Sequence, residues 1–197
     1  MVRKLETPLD EETVRSLRAG ERVEIFGEIF AARDAAHERM LKLLDSGEEL
    51  PFDIRGAIIY YVGPTPPGPG RVIGAAGPTT SSRMDPYVPD LLGRGLRGMI
   101  GKGPRSPEVV DALAQHGAVY FAATGGAGAL LSRAIVAQEV VAWGDLGPEA
   151  LRRLSVRAFP AVVAADSRGG DLYRSGPKEY RARHAREKNR LGDDRCE

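Results

Sequence analysis

The fold class of this chain is indicated by one stretch, Met99-Ile-Gly-Lys-Gly-Pro-Arg-Ser-Pro-Glu-Val-Val-Asp-Ala-Leu-Ala-Gln-His-Gly-Ala-Val-Tyr-Phe-Ala-Ala123. It opens with a short apolar segment that runs into a glycine turn, which predicts a strand. Ser106 followed by proline suits the start of a helix and Gly117 suits its end, so a helix is predicted between them. Residues 118–123 are apolar again and predict a second strand. Strand, helix and strand in succession are typical of a layered α/β fold.

The rest of the chain extends this pattern in both directions. Further strands are predicted at residues 21–30 (with Gly27 as a bulge), 57–62, 71–76, 139–143 and 161–165, and further helices at 10–20, 31–44, 85–97, 128–136 and 148–154. We therefore predict one layered α/β domain with a mixed sheet over residues 1–180. Residues 181–197 are almost all charged or polar and are predicted to form a disordered tail.

The composition bounds the classes of function. The chain has 197 residues, with 28 Lys and Arg against 27 Asp and Glu, so neither nucleic acid nor a membrane is expected as a general partner. The charged N-terminus lacks the apolar core of a secretory signal. The single cysteine, Cys196, excludes a disulfide within the chain and makes an intracellular, cytoplasmic setting the default. One cysteine also cannot hold an iron–sulfur cluster, which needs several thiolates.

The segment Gly77-Pro-Thr-Thr-Ser-Ser-Arg-Met-Asp85 concentrates polar groups after a turn. Its hydroxyls predict a capped helix N-terminus, which favours anions through free N–H groups and the helix dipole. Arg83 adds a guanidinium that can bind a carboxylate through two parallel hydrogen bonds. The segment therefore predicts a small pocket for a carboxylate or phosphate, and the alternative is an ordinary capped helix with a surface arginine.

Three further segments offer chemistry. Arg33-Asp34-Ala-Ala-His37 places Arg33 and His37 on one helix face, where Asp34 could tune the histidine as an acid or base, or where the three could form a solvated ion pair. Gly101-Lys102-Gly103 places a lysine at a strand end and does not match a Walker A loop. Its alternative is a tight turn with an exposed lysine. Thr124-Gly-Gly-Ala-Gly128 is a weak phosphate-cradle pattern, or a glycine-lined helix start near a shared pocket.

Three cations, Arg33, Arg83 and Lys102, thus follow predicted strands or begin the helices after them. The ends of the strands form the edge at which α/β sheets bind ligands. Because three positive groups suit a doubly negative ligand better than a neutral one, we expect a small dianion such as a dicarboxylate.

These motifs together resemble a known family. Ala32-Arg-Asp-Ala-Ala-His37, Tyr60-Tyr-Val-Gly-Pro-Thr-Pro66, Gly77–Asp85, Gly101–Gly103 and Thr124–Ala127 occur in this order. Over about residues 17–173 the chain resembles the β subunit, or C-terminal domain, of class I iron–sulfur fumarate hydratases and of L(+)-tartrate dehydratase. The resemblance implies a swivelling β/β/α-type domain.

The resemblance also implies site roles, carried over by position. Arg33, Arg83 and Lys102 match carboxylate-binding residues, and Thr79 matches both a substrate contact and the hydroxyl that takes part in proton transfer. Asp34 and His37 are expected to orient Arg33. Thr80, Gly125 and Gly126 are expected to support the site. The family's [4Fe-4S] cluster is held by three cysteines of an α part, which this chain lacks, so no metal ligands are expected here.

The function implied is that of a β subunit in a heteromeric hydro-lyase of the tricarboxylic acid cycle, which hydrates fumarate to L-malate with an α partner, in an α2β2-type assembly. One alternative is L(+)-tartrate dehydratase, which converts tartrate to oxaloacetate. Two others are a stand-alone dicarboxylate- or phosphate-binding module and a non-catalytic partner protein.

Overall fold

A computed structural model describes residues 2–193 of the chain, with side chains through residue 184. The strands are β1 (Arg3–Glu6), β2 (Arg22–Ala31), β3 (Ile58–Tyr60), β4 (Gly98–Gly101), β5 (Val119–Ala122), β6 (Ile135–Ala142) and β7 (Leu151–Ala165). The α-helices are α1 (Glu11–Ser16), α2 (Asp34–Asp45), α3 (Val88–Gly93), α4 (Pro107–His116), α5 (Gly128–Leu131) and α6 (Leu172–Asp193), and 3₁₀-helices cover Ser81–Tyr87, Ser132–Ala134 and Gly144–Glu149.

The sheet is mixed and closes into a five-stranded barrel. Strands β2, β3, β4 and β5 are parallel neighbours. The long strand β7 runs antiparallel to β5 on one side and to β2 on the other, which joins the two ends of the sheet. Strands β1 and β6 extend the barrel beside β2 and β7. The predicted single α/β domain with a mixed sheet is therefore confirmed, in the form of a closed barrel.

The apolar residues of the barrel strands are buried on both faces. In β3, Ile58 and Tyr60 belong to one core cluster, which includes the inward residues of β2, β5 and β7. The alternate residues Ile59 and Tyr61 belong to a second cluster, formed with α2, α3 and α4 outside the barrel. This two-sided burial explains why the strand reads as a continuous apolar run, since both faces must be apolar.

Local sequence signals identified several elements correctly. Ser106 caps α4 by accepting a hydrogen bond from the backbone N–H of Val109, and Gly117 follows in the left-handed conformation. Gly27 marks a shift in the β2–β7 register and has a φ of 100°. Asp10 caps α1 as expected, and α1 ends at Ser16 rather than at Gly20.

Two predicted elements are wrong, and two predicted helices are confirmed in part. Residues 71–76 form no strand, because their backbone bonds go to residues outside any strand, such as Thr65 and Gly128. The helix predicted at 148–154 is replaced by β7, whose pairing with β2 and β6 outweighs local helix preference. The helix predicted at 85–97 is a 3₁₀-helix followed by α3, which ends at Gly93. The helix predicted at 128–136 is α5 followed by a 3₁₀-helix, and it ends at Ala134, just before β6 begins.

The C-terminal segment differs from the predicted tail. Helix α6 begins at Leu172 and continues to Asp193, across most of residues 181–197. Ala, Arg, Glu and Lys, which dominate this segment, favour a helix without burial. The predicted boundary at residue 180 stays a prediction, and residues 194–197, including Cys196, lie outside the described residues. Within the described part, no helix is long and apolar enough to cross a membrane.

Candidate active site

The predicted cations gather at one rim of the barrel. Arg33 follows β2, Gly63 follows β3, Lys102 follows β4 and Thr124 follows β5, and these four strands are parallel. Their carboxyl ends therefore lie on the same side, which is where open α/β sheets bind ligands. The segment Gly77–Asp85 crosses this rim between β3 and β4.

Arg33 and Arg83 share a carboxylate. Asp34 accepts a hydrogen bond from Nε of Arg83 at 2.8 Å, and its other oxygen lies 3.6 Å from Nη2 of Arg33. Nη2 of Arg33 is also 3.4 Å from Glu149. A Cβ at Gly63 would lie 2.9 Å from Nη1 of Arg33, so a larger residue there would displace the guanidinium from its present position. Two cations 50 residues apart in the chain are thereby held side by side.

Thr79 and Lys102 are joined through the backbone. The N–H of Lys102 donates to the carbonyl of Thr79 at 3.2 Å, and the N–H of Ser81 donates to the carbonyl of Lys102 at 2.9 Å. A further bond, from the N–H of Thr79 to the carbonyl of Tyr61, ties the segment to the end of β3. Thr79 and Lys102 therefore lie on two short extended segments paired as a parallel bridge.

The predicted helix cap at this segment is wrong. Thr80 occupies the N-cap position of the 3₁₀-helix Ser81–Tyr87, but its side chain makes no capping hydrogen bond, and the residue is exposed. Ser81 is buried, and its hydroxyl pairs with the hydroxyl of Tyr120 at 2.9 Å. The Ser81 hydroxyl thus bonds in the interior rather than at a helix end. The short 3₁₀-helix offers little of the dipole on which the predicted anion binding depended.

His37 is buried beneath Arg33. Its Nδ1 lies 2.9 Å from the carbonyl oxygen of Arg33 and donates a hydrogen bond to it. The imidazole ring packs against the rings of Tyr61 and Tyr87. Burial lowers the pKa of His37 to about 4, with the nearby cation of Arg105 acting in the same direction. The imidazole is therefore neutral near pH 7, which suits a structural contact with Arg33 and not an acid–base role.

The glycine segment after β5 lies beside Lys102. Gly125 and Gly126 are exposed, and a side chain at Gly125 would lie 3.5 Å from Cδ of Lys102. A cavity of about 510 Å³ opens next to this lysine, between Thr124, Gly125 and the start of α6. Tyr173 of α6 borders it and accepts a hydrogen bond from the N–H of Gly103 at 3.0 Å.

Sequence reasoning missed three participants. Glu149, from the β6–β7 connection, contacts Arg33 and also accepts a hydrogen bond from the N–H of Ala35, near the start of α2. Asp85 and Arg105 form a buried ion pair with an N–O distance of 2.7 Å. Asp85 stood inside the quoted motif, but nothing in the sequence indicated that Glu149 or Arg105 would contact the site.

The described residues do not fit a metal cluster. No group of three or more His, Cys, Asp or Glu side chains within them is arranged to hold a metal ion. The single cysteine lies beyond the described part of the chain. The rim instead carries three cations with partly exposed side chains and a threonine hydroxyl. Together these groups can bind and orient a carboxylic acid.

Comparison with known proteins identifies the family of the chain. The sequence model of the family described as Fumarase C-terminus matches residues 2–176. The chain belongs to this family. It is 41% identical over 155 residues to "Fumarate hydratase class I, anaerobic" of Escherichia coli (strain K12), covering 77% of this chain and 28% of that protein. It is 36% identical over 173 residues to "Fumarate hydratase 2" of Leishmania major, covering 86% and 30%.

A third relative has nearly the same length. This is a Methanocaldococcus jannaschii protein provisionally named L(+)-tartrate dehydratase subunit beta, 37% identical over 171 residues, which cover 84% of this chain and 88% of that protein. The chain therefore spans less than a third of the fumarate hydratases but most of a protein named as a subunit.

Proposed function

We propose that this chain is the β subunit of a heteromeric hydro-lyase that adds water to fumarate to give L-malate. The observation that carries the proposal is the rim itself, where Arg33 and Lys102 follow parallel strands and the segment with Thr79 and Arg83 is bonded beside them. The fumarate hydratase relatives are about three times as long as the match. A partner subunit would supply the rest of the active site.

Arg83 is the side chain best placed to bind a substrate carboxylate. Only its Nε meets Asp34, and the side chain is 50% exposed. The two terminal nitrogens have no hydrogen-bond partner among the described residues and point a planar fork outward for a bidentate contact. Arg33 is less exposed, at 22%, because Asp34 and Glu149 flank it. Asp34 and Glu149 offset part of the positive charge of the two arginines, so a dianion would bind chiefly through the terminal nitrogens of Arg83 and through Lys102.

Thr79 is proposed as the hydroxyl that takes part in proton transfer beside the carboxylate. No described side chain hydrogen-bonds to this hydroxyl, and a threonine is a poor base without an activating group. The role therefore requires an activating group from the partner subunit or from the substrate. Thr80, Gly125 and Gly126 are proposed as supporting residues, since they are exposed at the same rim.

The [4Fe-4S] cluster is proposed to reside on the α partner. The described residues of this chain offer no ligand set for it, so its residence elsewhere is the arrangement that fits. The α2β2-type assembly, the cytoplasmic location and the swivelling type of the domain stay predictions.

Tartrate dehydration to oxaloacetate is the second candidate. The observation in its favour is length, because the chain covers 88% of the relative named as a tartrate dehydratase subunit. Both substrates are four-carbon dicarboxylates, and the cations at the rim bind the feature that they share.

The test is reconstitution. The chain is assayed alone and together with a cysteine-bearing α partner loaded with a cluster, using fumarate, malate and L(+)-tartrate separately. We expect activity only from the complex, and the faster substrate identifies the reaction. Fumarate hydration by the isolated chain without a cluster would contradict the proposal. Titration calorimetry with nucleotides and dicarboxylates separates the binding-module alternative, which predicts tight binding by the chain alone.

A further inference from the structure

Arg105 is a buried cation for which the roles above give no use. Its side chain is 1% exposed, and its Nε donates to Asp85 at 2.7 Å. The guanidinium carbon lies 5.3 Å and 5.1 Å from the ring centroids of Tyr61 and Tyr120. A charge removed from water in this way requires compensation from fixed neighbours. The contacts around Arg105 are therefore constrained to one geometry.

The first set of contacts ties the end of the motif to the turn after β4. One oxygen of Asp85 accepts the bond from Arg105, and the other accepts a bond from the backbone N–H of Ser106 at 2.8 Å. Asp85 is the last residue of the segment that carries Thr79 and Arg83. Arg105 and Ser106 follow Lys102 by three and four residues. The ion pair is thus a side-chain link between the two segments.

The second set lies closer to the rim. The hydroxyl of Tyr120, whose ring packs on Arg105, donates to the carbonyl of Gly103 at 2.8 Å. The same hydroxyl pairs with the buried hydroxyl of Ser81 at 2.9 Å. Gly103 is next to Lys102, and Ser81 is two residues after Thr79. The two segments are therefore joined on both sides of the Thr80–Lys102 bridge.

We propose that Arg105 is a positioning residue that, with Asp85 and Tyr120, fixes the Thr79 segment against the Lys102 segment. This inference rests on the proposed function only for its catalytic consequence. A misplacement of about 1 Å in a catalytic group can reduce the rate on the order of a hundredfold. Lysine at position 105 keeps the charge but cannot both hold Asp85 and present a flat guanidinium to the two rings.

The test compares Arg105→Lys with Val23→Ala in the full chain, alone and in the reconstituted complex. Val23 is buried in β2 and belongs to neither the Thr79 segment nor the Lys102 segment, so its truncation loosens the core without removing a contact between the two. Two readouts are measured: kcat and KM for fumarate, and hydrogen exchange of the Ser81 and Lys102 amides, which bond across the bridge.

For Arg105→Lys we expect kcat to fall more than tenfold with KM within about threefold of wild type. We also expect the two amides to exchange at least tenfold faster, relative to β2 amides. Val23→Ala should leave both readouts unchanged. Unchanged kcat, or exchange no faster than in Val23→Ala, would overturn the inference. If the wild-type complex neither hydrates fumarate nor dehydrates tartrate, the proposed function fails. The exchange measurement alone then still decides whether Arg105 holds the two segments together.

Discussion

The interior beside the rim has no room for a methyl group at Gly101. A Cβ there would overlap the hydroxyl of Ser81 and would lie 3.0 Å from Cδ2 of Tyr61. To admit it, the Ser81 hydroxyl must leave Tyr120, which breaks a buried hydrogen bond at a cost of about 1–3 kcal/mol. The remaining crowding against Tyr61 costs about 1–3 kcal/mol more. We therefore expect Gly101→Ala to lower the free energy of unfolding by on the order of 2–6 kcal/mol.

Urea unfolding of the full chain, followed by circular dichroism, measures this change. Gly68→Ala is the matched control, because a Cβ at Gly68 meets nothing within 4 Å, and it should be nearly neutral. The double variant Ser81→Ala with Gly101→Ala should be more stable than Gly101→Ala alone, since the overlapping oxygen is gone. A loss below about 0.5 kcal/mol for Gly101→Ala, or no recovery in the double variant, would refute the packing argument.

Three further outcomes are expected. Arg83→Lys should reduce kcat/KM for fumarate in the reconstituted complex by more than tenfold, because a point charge cannot replace a bidentate fork; near-normal steady-state kinetics would place Arg83 away from the substrate. Burial lowers the pKa of His37 to about 4 in the folded chain, so on acidification the imidazole is protonated first in the unfolded chain. The free energy of unfolding should therefore fall by about 3 kcal/mol as the pH drops from 6.5 to 4. His37→Gln should lose this pH dependence in urea titrations. Burial raises the pKa of Asp166, but hydrogen bonds from three backbone N–H groups lower it by more, so the net pKa is lowered. Asp166→Asn should therefore cost about 1–3 kcal/mol at pH 7, and thermal unfolding should show this cost shrinking as the pH falls through the lowered pKa of the native carboxyl.

Local chemistry was enough to predict the elements whose signals lie within a few residues. The helix between Ser106 and Gly117 carries its own cap, first-turn proline and terminal glycine, and it forms as predicted. The same holds for the bulge at Gly27. The position of Arg33 and Lys102 at one rim also followed from strand ends, because parallel neighbours present their carboxyl ends together. Arg83 reaches the same rim although no strand precedes its segment, because its side chain bonds to Asp34 and the backbone of Thr79 and Ser81 bonds to neighbouring segments.

Contacts between residues that are far apart in the chain could not be predicted from such local signals. Glu149 meets the backbone of Ala35 across 114 positions of sequence, and no spacing rule connects them. Residues 71–76 look like a strand by composition, yet tertiary bonds to loop residues decide their conformation. No sequence pattern singled out Arg105, and only the fold shows that its side chain is 1% exposed.

The closure of the barrel by β7 has a consequence for biosynthesis. Strand β2 ends at Ala31, but its antiparallel neighbour spans Leu151–Ala165. During translation β2 therefore emerges well before the strand that completes its hydrogen bonding, and its unsatisfied edge is open to wrong pairings in that interval. The ribosome must deliver about four fifths of the polypeptide before the native ring can form. A chain truncated before β7 would leave the edge of β2 unpaired, would be prone to aggregation and could not close the barrel.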